Sequence, residues 1–222
     1  MNKHITYNCN SDIDIETLLV EYASGTLNEA QSLLVETYRT FCKDTCNQIK
    51  KFEDVGGILI DHMCGSVNMS KSSLEIVLER IETPPPPCKD KHACQEFGFL
   101  PQPVIEKLQE RRRPPKWSRI YKGIRHCSVP TSAQNYHVML VKLAPGSKTP
   151  HHHHKGVELT LVLQGAFHDE YGSYKAGELI ICDETHHHTP VADAQTGCVC
   201  MMVTNGPVYF TRGMARLFNL FQ

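Results

Sequence analysis

The sequence lacks the features that place a protein in a membrane or outside the cell. It contains no run of about 18 or more apolar residues, which argues against a membrane-spanning helix. The first residues, MNKHITYNCNSD, lack the basic region followed by an apolar stretch that a secretion signal requires. We therefore expect a cytoplasmic protein with no membrane partner, whose ten cysteines are mostly reduced thiols.

A large charge of either sign is also missing. The formal net charge is −1 and the pI is about 6.9, which gives no electrostatic reason to expect direct binding of nucleic acid. The charge is nevertheless uneven, because residues 1–63 contain ten acids and five bases. An acidic N-terminal module of this kind suits a basic protein partner.

Residues 13–81 carry the apolar spacing of α-helices. In the first helical segment, apolar residues recur at i, i+3, i+4 and i+7, at Ile15, Leu18, Leu19 and Tyr22. Asn28 followed by Gln31 resembles a capping box, in which each side chain satisfies a free amide at the start of a helix. Later apolar stripes continue to Ile81, so we predict a small helical bundle over residues 1–81.

Four consecutive prolines, Pro84 to Pro87, end the helical region and favour an extended segment. From there to about Lys116 the chain is rich in Pro, Lys and Arg, with a brief helical pattern near Val104–Leu108. We interpret residues 82–116 as an interdomain linker.

In residues 117–222, short runs of β-formers bounded by Gly, Pro or Asp predict a β-sandwich or barrel. The fold class is therefore α+β with two domains.

The segment GSKTPHHHHKGVELTLVLQG, residues 146–165, has the ligand chemistry of a divalent metal site. Two histidines that are two residues apart on a strand lie on the same face. A polar loop that binds metal adventitiously is the alternative, and the spacing of the segment argues against it.

The same segment resembles the first motif of the cupin superfamily, whose fold is a β-barrel also described as a double-stranded β-helix. The motif places a glycine, a His-x-His pair, a glutamate and a second glycine at fixed intervals, which Gly146, His152, His154, Glu158 and Gly165 match. A competing frame uses His151 and His153, but it breaks the spacing from Gly146.

The cupin resemblance also implies a fourth ligand from a later strand. Among His186, His187 and His188, the residue two positions before Pro190 fits best, so His188 is preferred. The expected metal ligands are therefore His152, His154, Glu158 and His188. Three imidazoles and one carboxylate suit zinc, iron(II) or manganese.

Five segments resemble the ChrR family of anti-sigma factors more closely. They are YASGTLNEAQSLLVETY (22–38), VGGILID (55–61), ELTLVLQGAF (158–167), HTPVAD (188–193) and GCVCMMVTNGPVYF (197–210). The resemblance implies a helical domain that holds an extracytoplasmic-function (ECF) sigma factor inactive, and a cupin domain needed for its release under oxidative stress. Because both domains of the family bind zinc, zinc is the metal expected in the cupin domain.

One departure from the family concerns its N-terminal zinc site, an early histidine followed by His-x3-Cys-x2-Cys. The corresponding positions here are Ile13, Tyr38, Cys42 and Thr45, so only Cys42 remains. Cys46 lies one residue out of register, which rotates it by about 100° on a helix. We predict that this degenerate site binds no zinc and that Tyr38 and Ile13 fill the vacated space.

Two hypotheses for function follow. In the first, the protein is a ChrR-like anti-sigma factor that senses an oxidant through a metal ligand or through Cys198 and Cys200, which alternate along one predicted strand. In the second, it is a metal-dependent cupin enzyme of the dioxygenase or isomerase type, with a helical extension for dimerisation. His168 and Glu170 are the candidate acid–base residues of such an enzyme. The lack of a dedicated acid–base pair beyond the metal ligands favours the regulator.

Overall fold

A computed structural model of the protein describes residues 14–63, 65, 69–70, 72–82, 96–111 and 113–211. The helices are α1 (Ile15–Ala23), α2 (Glu29–Tyr38), α3 (Lys43–Met63), α4 (Ser73–Glu82) and α5 (Gln102–Gln109). The Asn28 carboxamide oxygen caps α2 by accepting from the amides of Ala30 and Gln31 at 3.0 and 3.1 Å. The predicted N-terminal helices are therefore confirmed. None of the described helices is long and apolar enough to cross a lipid bilayer.

The first three helices form a small core. Leu19, Val35 and Ile49 pack together between α1, α2 and α3. Tyr38, at the end of α2, is 2% exposed, and burial raises its pKa to about 12 despite a hydrogen bond with Thr45. Tyr38 thus fills interior space as predicted, whereas Ile13 lies outside the described residues.

The second half of the chain forms antiparallel strands. They are β1 (Ser118–Tyr121), β2 (Ile124–Val129), β3 (His137–Leu143), β4 (His152–His154), β5 (Glu158–His168), β6 (Ser173–Lys175), β7 (Leu179–Cys182), β8 (Val191–Ala192), β9 (Cys198–Thr204) and β10 (Val208–Phe210). The main sheet runs β1-β2-β3-β9-β5-β6, with β7 and β8 also paired to β5. Strands β4 and β10 form a separate pair.

Both faces of the central part of the main sheet are buried. Val141, Val162 and Ile180 belong to a cluster on the inner face. Residues that alternate with them, such as Leu140 and Leu161, belong to a second cluster on the outer face, which also contains side chains from α1, α2 and α5. The first six residues of β5 are therefore all buried, because this part of the strand is covered on both sides.

Helix α5 joins the helical part to the sheet. Val104 and Leu108, one turn apart, are 0% and 1% exposed and lie in the cluster that spans both parts. Phe97 stacks on Trp117 with ring centroids 5.2 Å apart. The stretch predicted as a linker, 82–116, therefore contains a packed helix, while its residues 83–95 lie outside the described part. The domain boundaries themselves stay a prediction.

Candidate metal centre

Strand β4 and the loop before β8 carry the predicted histidines to one place. His152 and His154 are buried on one face of β4, whereas His153 between them is only partly buried. His152 and His188 form an isolated antiparallel bridge and exchange two backbone hydrogen bonds of 3.1 and 3.0 Å. Glu158, the first residue of β5, is 3% exposed. The structure thus brings together all four residues that the sequence predicts as ligands.

The candidate ligand atoms converge. One nitrogen each from His152, His154 and His188 lies within 4.8 Å of the other two. Glu158 Oε2 is 2.7 Å from His154 Nε2. Among the described residues, these three histidines alone bring ligand atoms from three side chains within this distance of one another.

Several of these buried atoms have no hydrogen-bond partner among the described residues. They are both ring nitrogens of His154, Nε2 of His188 and Oε2 of Glu158. The 2.7 Å approach of Glu158 Oε2 to His154 Nε2 does not have hydrogen-bond geometry. A buried polar atom left without a partner costs about 1–3 kcal/mol. A divalent cation would satisfy one ring nitrogen of His154 together with His188 Nε2 and Glu158 Oε2, and this mixed nitrogen and carboxylate set fits such a cation.

Two hydrogen bonds orient the imidazole rings. Asp169 Oδ2 lies 2.9 Å from His188 Nδ1, and the Pro150 carbonyl oxygen lies 2.7 Å from His152 Nδ1. When Nδ1 donates to these acceptors, Nε2 of each ring is left with its lone pair for a metal. Asp169 is itself fixed, because its Oδ1 accepts from the amides of Tyr171 and Gly172 at 2.9 and 3.0 Å.

Sequence reasoning missed Asp169. It considered the two neighbours, but His168 is exposed and Glu170 accepts a hydrogen bond from the Thr189 amide at 2.8 Å. An aspartate followed by Glu-Tyr-Gly indicates a turn. Its pairing with His188, 19 residues later, depends on the loop geometry and leaves no local signal.

The electrostatics of the centre favour a neutral His152. Burial, reinforced by positive charge on His188 and His154, lowers the pKa of His152 to about 3. Burial acts to raise the pKa of Asp169, but the hydrogen bond from His188 and the backbone amides outweighs it, so the pKa falls below its ordinary value. A neutral imidazole is the protonation state that a metal requires of a histidine ligand.

The two cysteines of β9 also face the inside. Cys198 and Cys200 are 2% and 4% exposed, and their sulfur atoms are 3.4 Å apart. The hydrogen bond with Cys198, together with burial, raises the pKa of Cys200 well above the ordinary value of a thiol. Cys200 faces Val162 of β5, the strand that also carries Glu158. The two sulfurs are in contact but unbonded, since a disulfide bond measures about 2.05 Å.

The degenerate N-terminal site has a different character. Cys42 is buried and Cys46 is partly buried, with its thiol 3.6 Å from the Arg39 carbonyl oxygen. Tyr38 and Thr45, which stand where the family has ligands, are both buried. The absence of zinc from this domain stays a prediction.

Comparison with known proteins agrees with these observations. A family model described as the ChrR Cupin-like domain matches residues 112–208. The chain is 33% identical over 210 residues to the anti-sigma-E factor ChrR of Cereibacter sphaeroides, covering 93% of this chain and 95% of that protein. The chain belongs to the ChrR family of anti-sigma factors.

A solved structure extends this ChrR similarity to three dimensions. It is the crystal structure of Rhodobacter sphaeroides SigE in complex with the anti-sigma ChrR, matched with a TM-score of 0.69 and 32% identity. The match covers 86% of this chain and 97% of the matched chain. The predicted fold, N-terminal helices followed by a cupin domain, is therefore confirmed.

Proposed function

We propose that this ChrR-family protein is an anti-sigma factor, which sequesters an ECF sigma factor through its N-terminal helices in the cytoplasm. Its cupin domain binds one divalent metal ion, zinc, and senses oxidative stress. The family match supports both parts, because it extends over the helices as well as the cupin domain.

One observation carries the sigma-binding proposal: many apolar side chains of α3 and α4 are exposed in the described part of the chain. Its side chains are 47–79% exposed, at Val55, Ile58, Leu59, Ile60, Met63, Leu74, Ile76, Val77, Leu78 and Ile81. Exposed apolar groups on this scale mark a binding surface, since isolated domains rarely leave so many in water. We call these ten residues the apolar helix surface.

The charges beside this surface fit the proposed partner. Glu53 and Asp61 of α3 are exposed next to the apolar helix surface. They contribute to the excess of acids over bases in residues 1–63. A sigma factor must bind DNA, so it offers the basic surface that complements such acids and speeds association.

Substitutions on the apolar helix surface test this function. Co-purification of the full-length chain with ECF sigma factors from its native host should be lost in an Ile58→Asp/Leu78→Asp double variant. Val20→Asp is a matched control, because Val20 is 44% exposed on α1 but lies outside the surface. Recovery of the same sigma factor with both variants would refute the assignment of the surface.

The metal centre is assigned from the converging donors. We assign one zinc ion to His152, His154, Glu158 and His188, with three imidazole nitrogens and one carboxylate oxygen as ligands. Because β4, β5 and the His188 loop each provide a ligand, the ion would hold three separate parts of the cupin domain together.

Strand β9 contacts both the interior of the cupin domain and the helices. Cys200 points inward, while its neighbours Met201 and Val203 belong to the outer cluster that also contains Leu34 of α2. Reaction with a peroxide would form an S–S bond between Cys198 and Cys200, while the peroxide O–O bond breaks and its oxygens take up the two thiol protons and leave as water or alcohol. The resulting change in β9 would disturb the packing of α2 and favour release of the sigma factor.

The alternative of a metal-dependent cupin enzyme has less support. The relative matched across both halves of the chain is an anti-sigma factor. The two candidate acid–base residues of such an enzyme, His168 and Glu170, are both exposed. Dimerisation through either domain stays a prediction.

A further inference from the structure

A second histidine cluster lies on the other face of β4. His151 and His153 alternate with the buried pair and point away from the candidate metal centre, and they are partly exposed. His187, next to the buried His188, is exposed on the same outer side. We call His151, His153 and His187 the outer histidine cluster.

The strand register sets these side chains opposite each other. Because His152 bridges His188 in antiparallel fashion, the following residue of β4, His153, faces His187 across the two strands. Their ring centroids are 4.5 Å apart, and the His151 ring is 6.2 Å from that of His187. Tyr209 of β10 stacks on His153 with a centroid distance of 5.6 Å, so the His153 ring is held between two neighbours.

Two ring nitrogens of this cluster lack a hydrogen-bond partner among the described residues. Nδ1 of His153 is buried without a hydrogen-bond partner among the described residues. Nδ1 of His151 bonds to the Thr211 hydroxyl, which leaves its Nε2 as the free nitrogen. The rings of His153 and His187 are tilted by 38°, so convergence on one point requires rotation of a ring, which exposure permits for His187.

We propose that the outer histidine cluster is a second binding site for a divalent transition metal, open to solvent and distinct from the buried centre. Imidazole-only donors select borderline metals, and copper(II) binds such sets most tightly among the divalent ions. The site lacks a carboxylate and is not converged, so it binds metal more weakly and exchanges it faster than the buried centre. It uses the two histidines of the HHHH segment that the cupin motif leaves out.

Copper binding to the full-length, zinc-loaded protein tests this proposal. Isothermal titration with copper(II) in glycine buffer, which removes loosely held copper, should show about one equivalent bound. Paramagnetic resonance should show nitrogen hyperfine coupling from imidazole, while elemental analysis shows the tightly bound zinc unchanged. A His153→Ala/His187→Ala variant should lose the copper and keep the zinc, and the milder His187→Gln should weaken copper binding about tenfold or more.

Control variants separate the two sites. His168→Ala removes an exposed histidine at the end of β5 and should leave copper binding unchanged. His154→Ala should lose the zinc yet still bind copper. Three outcomes would overturn the proposal. Glycine could strip the copper from the wild-type protein, both cluster variants could still bind copper, or copper binding could be lost together with the zinc.

Discussion

Glu29, the first residue of α2, accepts hydrogen bonds from both the backbone amide and the hydroxyl group of Ser132, which lies between β2 and β3. The hydroxyl oxygen is 2.6 Å from Oε2 of Glu29. The other carboxylate oxygen pairs with Lys107 of α5. One side chain therefore connects three parts of the chain: α2, α5 and the cupin domain. The hydrogen bond from Lys107 and those from Ser132 lower the pKa of Glu29 to about 2.

We predict that Glu29→Gln loosens the docking of α2 on the cupin domain. Glu29 is one-third exposed, so the loss in the free energy of unfolding should be modest, on the order of 1 kcal/mol. The measurement is urea denaturation at neutral pH, with Glu36→Gln on the same helix as the control. An equal effect of both substitutions would contradict a special role for Glu29.

The contacts of Glu29 also predict that the stability of the protein depends on pH. A carboxyl group whose pKa is depressed on folding stabilises the protein above its unfolded pKa, and this contribution is lost as the pH falls toward the folded value. For Glu29 the window extends from the ordinary value of 4.5 down to about 2. The stability difference between wild type and Glu29→Gln should therefore shrink as the pH falls through this range. A difference that grows on acidification would contradict the assignment.

Asp169 is predicted to strengthen metal binding without touching the ion. Asp169→Asn keeps the size of the side chain but removes the charge that orients His188, so zinc affinity should fall about 10–100-fold. Competition with a chromophoric chelator measures this affinity. Glu170→Gln, at the next and exposed position, should bind zinc as the wild type does. Equal affinity of all three proteins would show that the hydrogen bond to His188 is incidental.

The cysteine pair of β9 is predicted to be the site of oxidation. After treatment with peroxide, intact mass should fall by about 2 Da as two thiols become a disulfide. Peptide mapping should place the bond between Cys198 and Cys200, whose sulfurs are already in contact. Cys200→Ser should abolish the change, whereas Cys46→Ser in the helical part should not. A disulfide elsewhere, or sulfinic acid on a single cysteine, would refute this pathway.

Local patterns made much of this molecule predictable. The spacing of Leu18, Leu19 and Asn28 indicates where α1 and α2 lie, because helix periodicity and capping depend on neighbours within four residues. The alternation of His152 and His154 likewise determines which histidines share a face of β4.

The rest depends on contacts between distant residues. The apolar residues of α3 and α4 have the same helical spacing as core residues, so only the fold shows that Ile58 and Leu78 are exposed. The sequence also does not predict that α5 is packed against the sheet, because Val104 and Leu108 form only a short apolar stripe within a Pro- and Arg-rich stretch. The hydrogen bond between Asp169 and His188 joins residues 19 positions apart, so it depends on the fold of the intervening chain.

The central claim is that the inward-facing set of side chains, and not the outward-facing one, holds a tightly bound ion in the cupin domain. Elemental analysis of protein dialysed against a mild chelator measures this directly. The account predicts about one zinc per chain in the wild type, nearly the same in His151→Ala, and a sharp loss in His154→Ala. Wild-type protein without a stoichiometric metal, or equal loss from the two variants, would contradict it.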